Sequence, residues 1–150
     1  MTSPPALPSL PVIPLKGGNV CITAKCSACC LETEMLLTES DVRRIRSARP
    51  NLDFFFQAPD GHFQLKTRDE PGRPCVFLSA AGRCTIHEIR PEGCRLYPAV
   101  WDSATGRAHL DNAHCPHTSG FVLAPATQDA VRRLAARLER EAAERLRTHL

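Results

Sequence analysis

Long apolar runs are missing from this chain, and aromatics and lysines are scarce. No stretch approaches the roughly 20 apolar residues that a membrane-crossing helix needs, so no membrane span is expected. Aromatic residues make up 5% of the sequence, with one Trp and one Tyr. Apolar packing around large rings therefore cannot be the main source of stability. Lysine occurs only as Lys16, Lys25 and Lys66, so the basic charge rests on arginine. The net charge of +3 is too mild to point to a nucleic acid by itself. An export signal is also lacking. Residues 1–14 have no basic start, and Pro4, Pro5, Pro8, Pro11 and Pro14 interrupt the apolar core that a signal peptide requires. No glycine-rich nucleotide loop stands out. The expectation is a cytoplasmic protein in a reducing compartment, where structural disulfides are rare.

What the chain does have is eight cysteines in 150 residues. Its length suits one domain, and its composition, 43% hydrophobic and 23% charged, suits a globular one. Three regions follow from the pattern: a Pro-rich lead over 1–18, a cysteine-cluster domain over 19–124, and an amphipathic C-terminal helix over 125–150 that packs on the same domain. The expected class is α+β, a small irregular single domain with short hairpins, organised around a cysteine metal centre.

Local signals place the elements. Residues 35–37 read as a short strand. A helix is expected over 38–49, with Thr38 as N-cap and Asp41 completing a capping box; Leu37 and Val42 supply the hydrophobic staple, and Pro50 stops the helix. Residues 53–67 read as a hairpin turning at Pro59-Asp60-Gly61. A second hairpin is expected from Cys75-Val76-Phe77-Leu78, through Gly82, to Cys84-Thr85-Ile86. A third runs from Val100-Trp101 through Thr105-Gly106 to Leu110. The last helix is expected from a Thr127 cap, with Val131, Leu134, Leu138, Ala142 and Leu146 at helical spacing. Arg137, Glu141 and Arg145 form pairs four apart and are expected on its solvent face.

The cysteine spacing carries the chemistry. Cys26 and Cys29 form a knuckle in which two intervening residues let both sulfurs face one metal. Cys21 lies close before it. Cys30 adjoins Cys29, and neighbouring side chains in extended backbone point to opposite sides. One four-coordinate zinc is therefore a poor account of the set. Two sites or a polynuclear cluster fit better. Cys75, Cys84, Cys94 and Cys115 bring the count to eight, enough for two sets of four, as structural zinc and cubane iron–sulfur clusters each require. Crowded thiols ionise readily only when a metal takes up the charge. Arg90 and Arg95 flank Cys94 and could offset what remains, or could pair with Glu88 or Glu92. At about 5% cysteine, the chain falls below the roughly 8–10% of disulfide-rich secreted proteins. No cysteine is singled out beside a histidine as a nucleophile. His87, His114 and His117 lie near cysteines, yet eight thiols make histidine ligands unnecessary.

The pattern resembles the YkgJ-type cysteine-cluster family, known both as a zinc- or iron-chelating domain and as iron–sulfur-cluster-containing proteins. The likeness rests on Cys21-x4-Cys26-x2-Cys29-Cys30, on Leu37-Thr38-Glu39-Ser40-Asp41-Val42, and on Pro74-Cys75-Val76-Phe77-Leu78. It rests above all on the block from Cys84-Thr85-Ile86-His87 through Arg90-Pro91-Glu92-Gly93-Cys94-Arg95-Leu96-Tyr97-Pro98, and it closes with Cys115-Pro116. His87 departs from the aromatic usual there, and Ser27-Ala28 departs from the glycine that often precedes the cysteine pair. The resemblance implies that Cys21, Cys26, Cys29, Cys30, Cys75, Cys84, Cys94 and Cys115 all belong to the metal set. It implies an iron–sulfur cluster in preference to Zn2+, with Arg90, Arg95 and Tyr97 around it. The function expected is redox or metal handling. The alternative is a structural zinc module presenting a surface to a protein or nucleic acid; a protein partner fits better than a nucleic acid. An enzyme would show a pocket near Arg90, Arg95, Tyr97 and Trp101, but no catalytic constellation is identified.

Overall fold

The computed structural model describes residues 31, 33–111, 115 and 121–148. The architecture is α+β: two small antiparallel sheets of short strands and three helices, the last of them long. Among the described residues no helix is long and apolar enough to cross a membrane.

Strand β1 (Leu36–Leu37) leads directly into helix α1 (Glu39–Ala48). The capping box forms as the sequence predicts. Thr38 Oγ1 accepts from the Asp41 amide at 3.0 Å, and Asp41 Oδ2 accepts from the Thr38 amide at 3.0 Å. Leu37 and Val42 are both buried in the first core, as a hydrophobic staple requires. Arg49 closes the helix by donating its amide to the Ile45 carbonyl.

Strands β2 (Phe55–Gln57) and β3 (Phe63–Leu65) form the expected hairpin, with Phe55 opposite Leu65 and Gln57 opposite Phe63. Strand β1 adds to the other edge of β3, giving the order β1-β3-β2. Gly61 at the turn has φ +91°, a left-handed conformation that suits glycine. A methyl there would also come within 2.5 Å of the Ala142 carbonyl oxygen. The turn is thus pressed against the last helix.

Two sequence expectations need correction. The segment from Cys75 to Ile86 is not a two-stranded hairpin. It is a chain of turns held by single bridges, Thr67 to Cys75 and Leu78 to Cys84, with a tight turn in which Ser79 donates to Arg83. Phe77 and Leu78 are buried in the first core, so packing, not a ladder, fixes the segment. The last helix begins at Pro125, not at a Thr127 cap. Proline is favoured in a first helical turn because its missing amide needs no partner there, and Thr127 lies inside the helix, 1% exposed.

A short 3-10 turn (His87–Ile89) precedes a helix the sequence did not announce, α2 (Glu92–Leu96). Strands β4 (Ala99–Asp102) and β5 (Arg107–Leu110) then form the third hairpin where expected, with Trp101 opposite Ala108. Helix α3 (Pro125–Thr148) lies across α2, β4 and β5. Its inner residues Ala130 and Val131 join Leu96, Ala99, Cys115 and Phe121 in a second core. Ala142 is buried, but Leu146 is 43% exposed despite its place in the periodic pattern. Helix α2 stands where the two cores meet: Leu96 is buried in the second, and Gly93 lies against Met35, which packs on the first.

Candidate metal centre

Of the eight cysteines, Cys21, Cys26, Cys29 and Cys30 lie outside the described residues, as do His114 and His117. The other four come from separate parts of the fold. Cys75 is buried in the first core, and Cys84 packs against it. Cys94 sits half-buried in the middle of α2. Cys115 is buried in the second core. Among the described residues, no three Cys, His, Asp or Glu side chains come together as a metal-holding group.

The backbone nevertheless brings the residue that follows the first cysteine group in sequence against the second cysteine region. Leu31, the residue after Cys30 in sequence, forms an antiparallel bridge with Pro74, the residue before Cys75. Cys75 itself bridges to Thr67, and Cys84 to Leu78. The first of these contacts joins segments that sequence separates widely, and the other two are local.

Two arginines, neither singled out by the sequence, organise the loops that carry the cysteines. Arg68 Nη1 donates to the carbonyls of Leu78 at 2.7 Å and Cys75 at 3.3 Å. It gathers the turn after Cys75 around one guanidinium. Arg44 donates to the carbonyls of Arg90 at 3.0 Å and Ile89 at 3.3 Å, just ahead of α2. Their signal in the sequence is weak, since the nearby Asp41 and Glu70 read as ordinary local ion pairs and say nothing of the distant carbonyls.

The residues expected around the metal take several places. Arg90 Nη1 donates to the His87 carbonyl at 2.6 Å. Arg95 Nη1 is buried and finds no hydrogen-bond acceptor among the described residues. The Tyr97 hydroxyl donates to Asp111 Oδ2 at 2.7 Å, while its ring packs on the second core beside Trp101. His87 is largely exposed on its 3-10 turn; partial loss of water around its ring, then the Arg90 charge, lowers its pKa. Glu92 turns to Arg137, at 3.6 Å. An open cleft of about 1400 Å³ runs between the three-stranded sheet and α3, lined by Leu31, Met35, Gly93, Tyr97, Trp101 and Leu134 among others. Tyr97 and Trp101 therefore border it, whereas Arg90 and Arg95 do not.

The pairs formed by Arg137, Glu141 and Arg145 are not on the solvent face, which corrects the sequence expectation. Glu141 and Arg145 are only 9% and 8% exposed. The cause lies in what this face of α3 meets, the N-terminal turn of α1. Glu141 Oε1 accepts from the Glu39 amide at 3.0 Å, and Arg137 Nη2 donates to Ser40 Oγ at 2.6 Å. A carboxylate is well placed at a helix N-terminus, where unpaired amides and the dipole favour negative charge. Arg145 donates to the Gly61 carbonyl at 2.9 Å and lies over the Phe63 ring. Burial, then the neighbouring Asp41, pushes the Glu92 carboxyl up; Arg137 and Arg44 pull the other way.

Comparison with known proteins fits this picture. The model of the CxxCxxCC family, described as a putative zinc- or iron-chelating domain, matches residues 20–117. No curated protein and no solved structure matches the chain.

Proposed function

Because the chain belongs to the CxxCxxCC family of metal-chelating domains, we propose that its eight cysteines hold a metal centre, iron–sulfur in preference to zinc, with a redox or metal-handling role. The ligands in this reading are Cys21, Cys26, Cys29, Cys30, Cys75, Cys84, Cys94 and Cys115. The observation that carries it is the bridge between Leu31 and Pro74, which joins the segment after the first cysteine group to the segment before the second.

The donor set fits. Eight thiolates match two sets of four, and soft sulfur ligands suit both iron–sulfur clusters and zinc. The surroundings fit as well. Arg95 follows Cys94 directly, and its buried Nη1 finds no acceptor among the described residues. A cation in that position offsets the negative charge that a thiolate centre carries. Cys75 and Cys115 are shielded from water, and such shielding tunes a cluster's reduction potential. When bound, the metal would accept or pass electrons, or tie the two cores together. A cytoplasmic location, where thiols stay reduced, goes with this reading. So does a protein partner that exchanges electrons or metal.

The test is anaerobic purification followed by elemental analysis and a visible spectrum of one sample. Iron with acid-labile sulfide and broad visible absorption is the expected result. Stoichiometric zinc without colour would replace the iron–sulfur reading with a structural zinc module. A folded protein holding neither metal would overturn the proposal.

A further inference from the structure

Helix α2 cannot hold its own place. Five residues are far fewer than the roughly 12–15 at which an isolated helix becomes even marginally stable. Its N-cap is Pro91, which has no side-chain oxygen for the first amides.

The missing cap comes from another helix. Asp41 of α1 is fully buried. While Oδ2 closes its own capping box, Oδ1 accepts from the Glu92 amide, the first of α2, at 3.1 Å. Arg44, three residues further on, binds the same Oδ1 at 2.8 Å and takes the Ile89 and Arg90 carbonyls. Two side chains thus fix three backbone groups between residues 89 and 92, directly ahead of Cys94. Met35 blocks the other side: a methyl on Gly93 would fall on its sulfur.

We infer that Asp41 and Arg44 are positioning residues for the Cys94 thiolate, setting where it meets the metal. This rests on the reading of Cys94 as a ligand. Metal sites require ligands held within about 0.5 Å of the productive geometry. On a helix this short, that precision must come from outside it. The buried Asp41 and the part-buried Arg44 supply it through the backbone ahead of Cys94.

Cobalt(II) binding to the metal-free full-length protein tests the inference, since its thiolate-to-cobalt charge-transfer band reports how many sulfurs bind. Asp41→Ala and Arg44→Ala are expected to weaken cobalt binding by about 10–100-fold, the range for loss of a supporting partner, and to diminish that band. Asp41→Asn, which keeps an acceptor for the Glu92 amide, should recover part of both. Gly61→Ala, a destabilised control whose methyl would meet Ala142 and Leu146 and none of the described cysteines, should leave the band unchanged. Cys94→Ser separates the two layers of the argument. If it leaves the band as in the unaltered protein, Cys94 is not a ligand and the underlying reading fails. If it diminishes the band while Asp41→Ala and Arg44→Ala do not, the positioning role alone is overturned. Should Asp41→Ala fail to fold, Arg44→Ala decides, because it leaves the Thr38–Asp41 capping box in place.

Discussion

Arg68 reaches across the turn that starts at Cys75 to donate to the Leu78 carbonyl at 2.7 Å. The turn has only single bridges on either side, so this guanidinium is a principal restraint on its carbonyls. Arg68→Ala is expected to destabilise the protein by about 2 kcal/mol, in the range for hydrogen bonds to a charged group. Arg68→Lys should recover only part, because a lysine ammonium cannot hold the carbonyls and Glu70 together as the planar guanidinium does through Nη1 and Nε. Urea unfolding of the three proteins checks this.

At the tip of the first hairpin, Gly61→Ala meets two obstacles. The left-handed backbone costs a side chain about 1–2 kcal/mol, and the new methyl would press on the Ala142 carbonyl. A loss of about 2 kcal/mol corresponds to a fall in Tm of about 4–8 °C for a chain of this size. Thermal unfolding followed by circular dichroism would show it; an unchanged Tm would mean that α3 yields freely at this point.

Glu141 serves the first amide of α1 and lies between Arg137 and Arg145. Glu141→Ala leaves the buried Arg145 without one of its carboxylate partners, and breaking such a buried pair costs about 3–5 kcal/mol. Replacing an exposed charge on the same helix, as in Glu144→Ala, should change stability by less than about 0.5 kcal/mol. Denaturant midpoints of the two variants give the comparison directly.

Acid acts on the β4–β5 hairpin through Asp102. The Ala104 amide, at 2.9 Å, and then the Thr105 hydroxyl hold its carboxyl below the usual aspartate range. A folded-state pKa below the unfolded one stabilises above the unfolded value, and the gain is lost as pH falls through the folded pKa. The protection factors of amides in β4 and β5, with the intrinsic pH dependence of exchange divided out, should therefore fall below the ordinary aspartate pKa. Asp102→Ala should already exchange faster at neutral pH and lose this acid dependence. NMR hydrogen exchange at several pH values measures both.

The legible parts of the fold obey local rules. Thr38 and Asp41 announce a helix start because a capping box closes within four residues. Gly61 and Gly106 announce turns because the backbone there takes positive φ. The parts that escaped are set by distant neighbours. Helix α2 exists because Asp41 and Arg44 reach it from another helix, and no pattern within residues 92–96 encodes them. Glu141 and Arg145 have the spacing of a solvated face, and only the arrival of α1 and the Gly61 turn buries them. Cys75 to Ile86 has strand-like composition, but Phe77 and Leu78 satisfy it by entering the core instead of a ladder. For the candidate site, spacing marks the cysteines as a set, while the carbonyls that Arg44 and Arg68 serve lie in other segments and leave no pattern around either arginine.

The bridge between Leu31 and Pro74 also orders events in time. The residues it joins stand far apart in the chain, and α1 with the first hairpin lies between them. Closing so long a loop in an open chain carries a large entropic cost, which falls once the intervening segment is compact. The first core should therefore form before these two ends meet. In the proposed reading, the cysteine groups on either side are brought together late, and an unfinished chain offers only a partial set of sulfurs. Incorporation of the metal would then double as a checkpoint, locking molecules whose first core is complete and passing over those whose core is not.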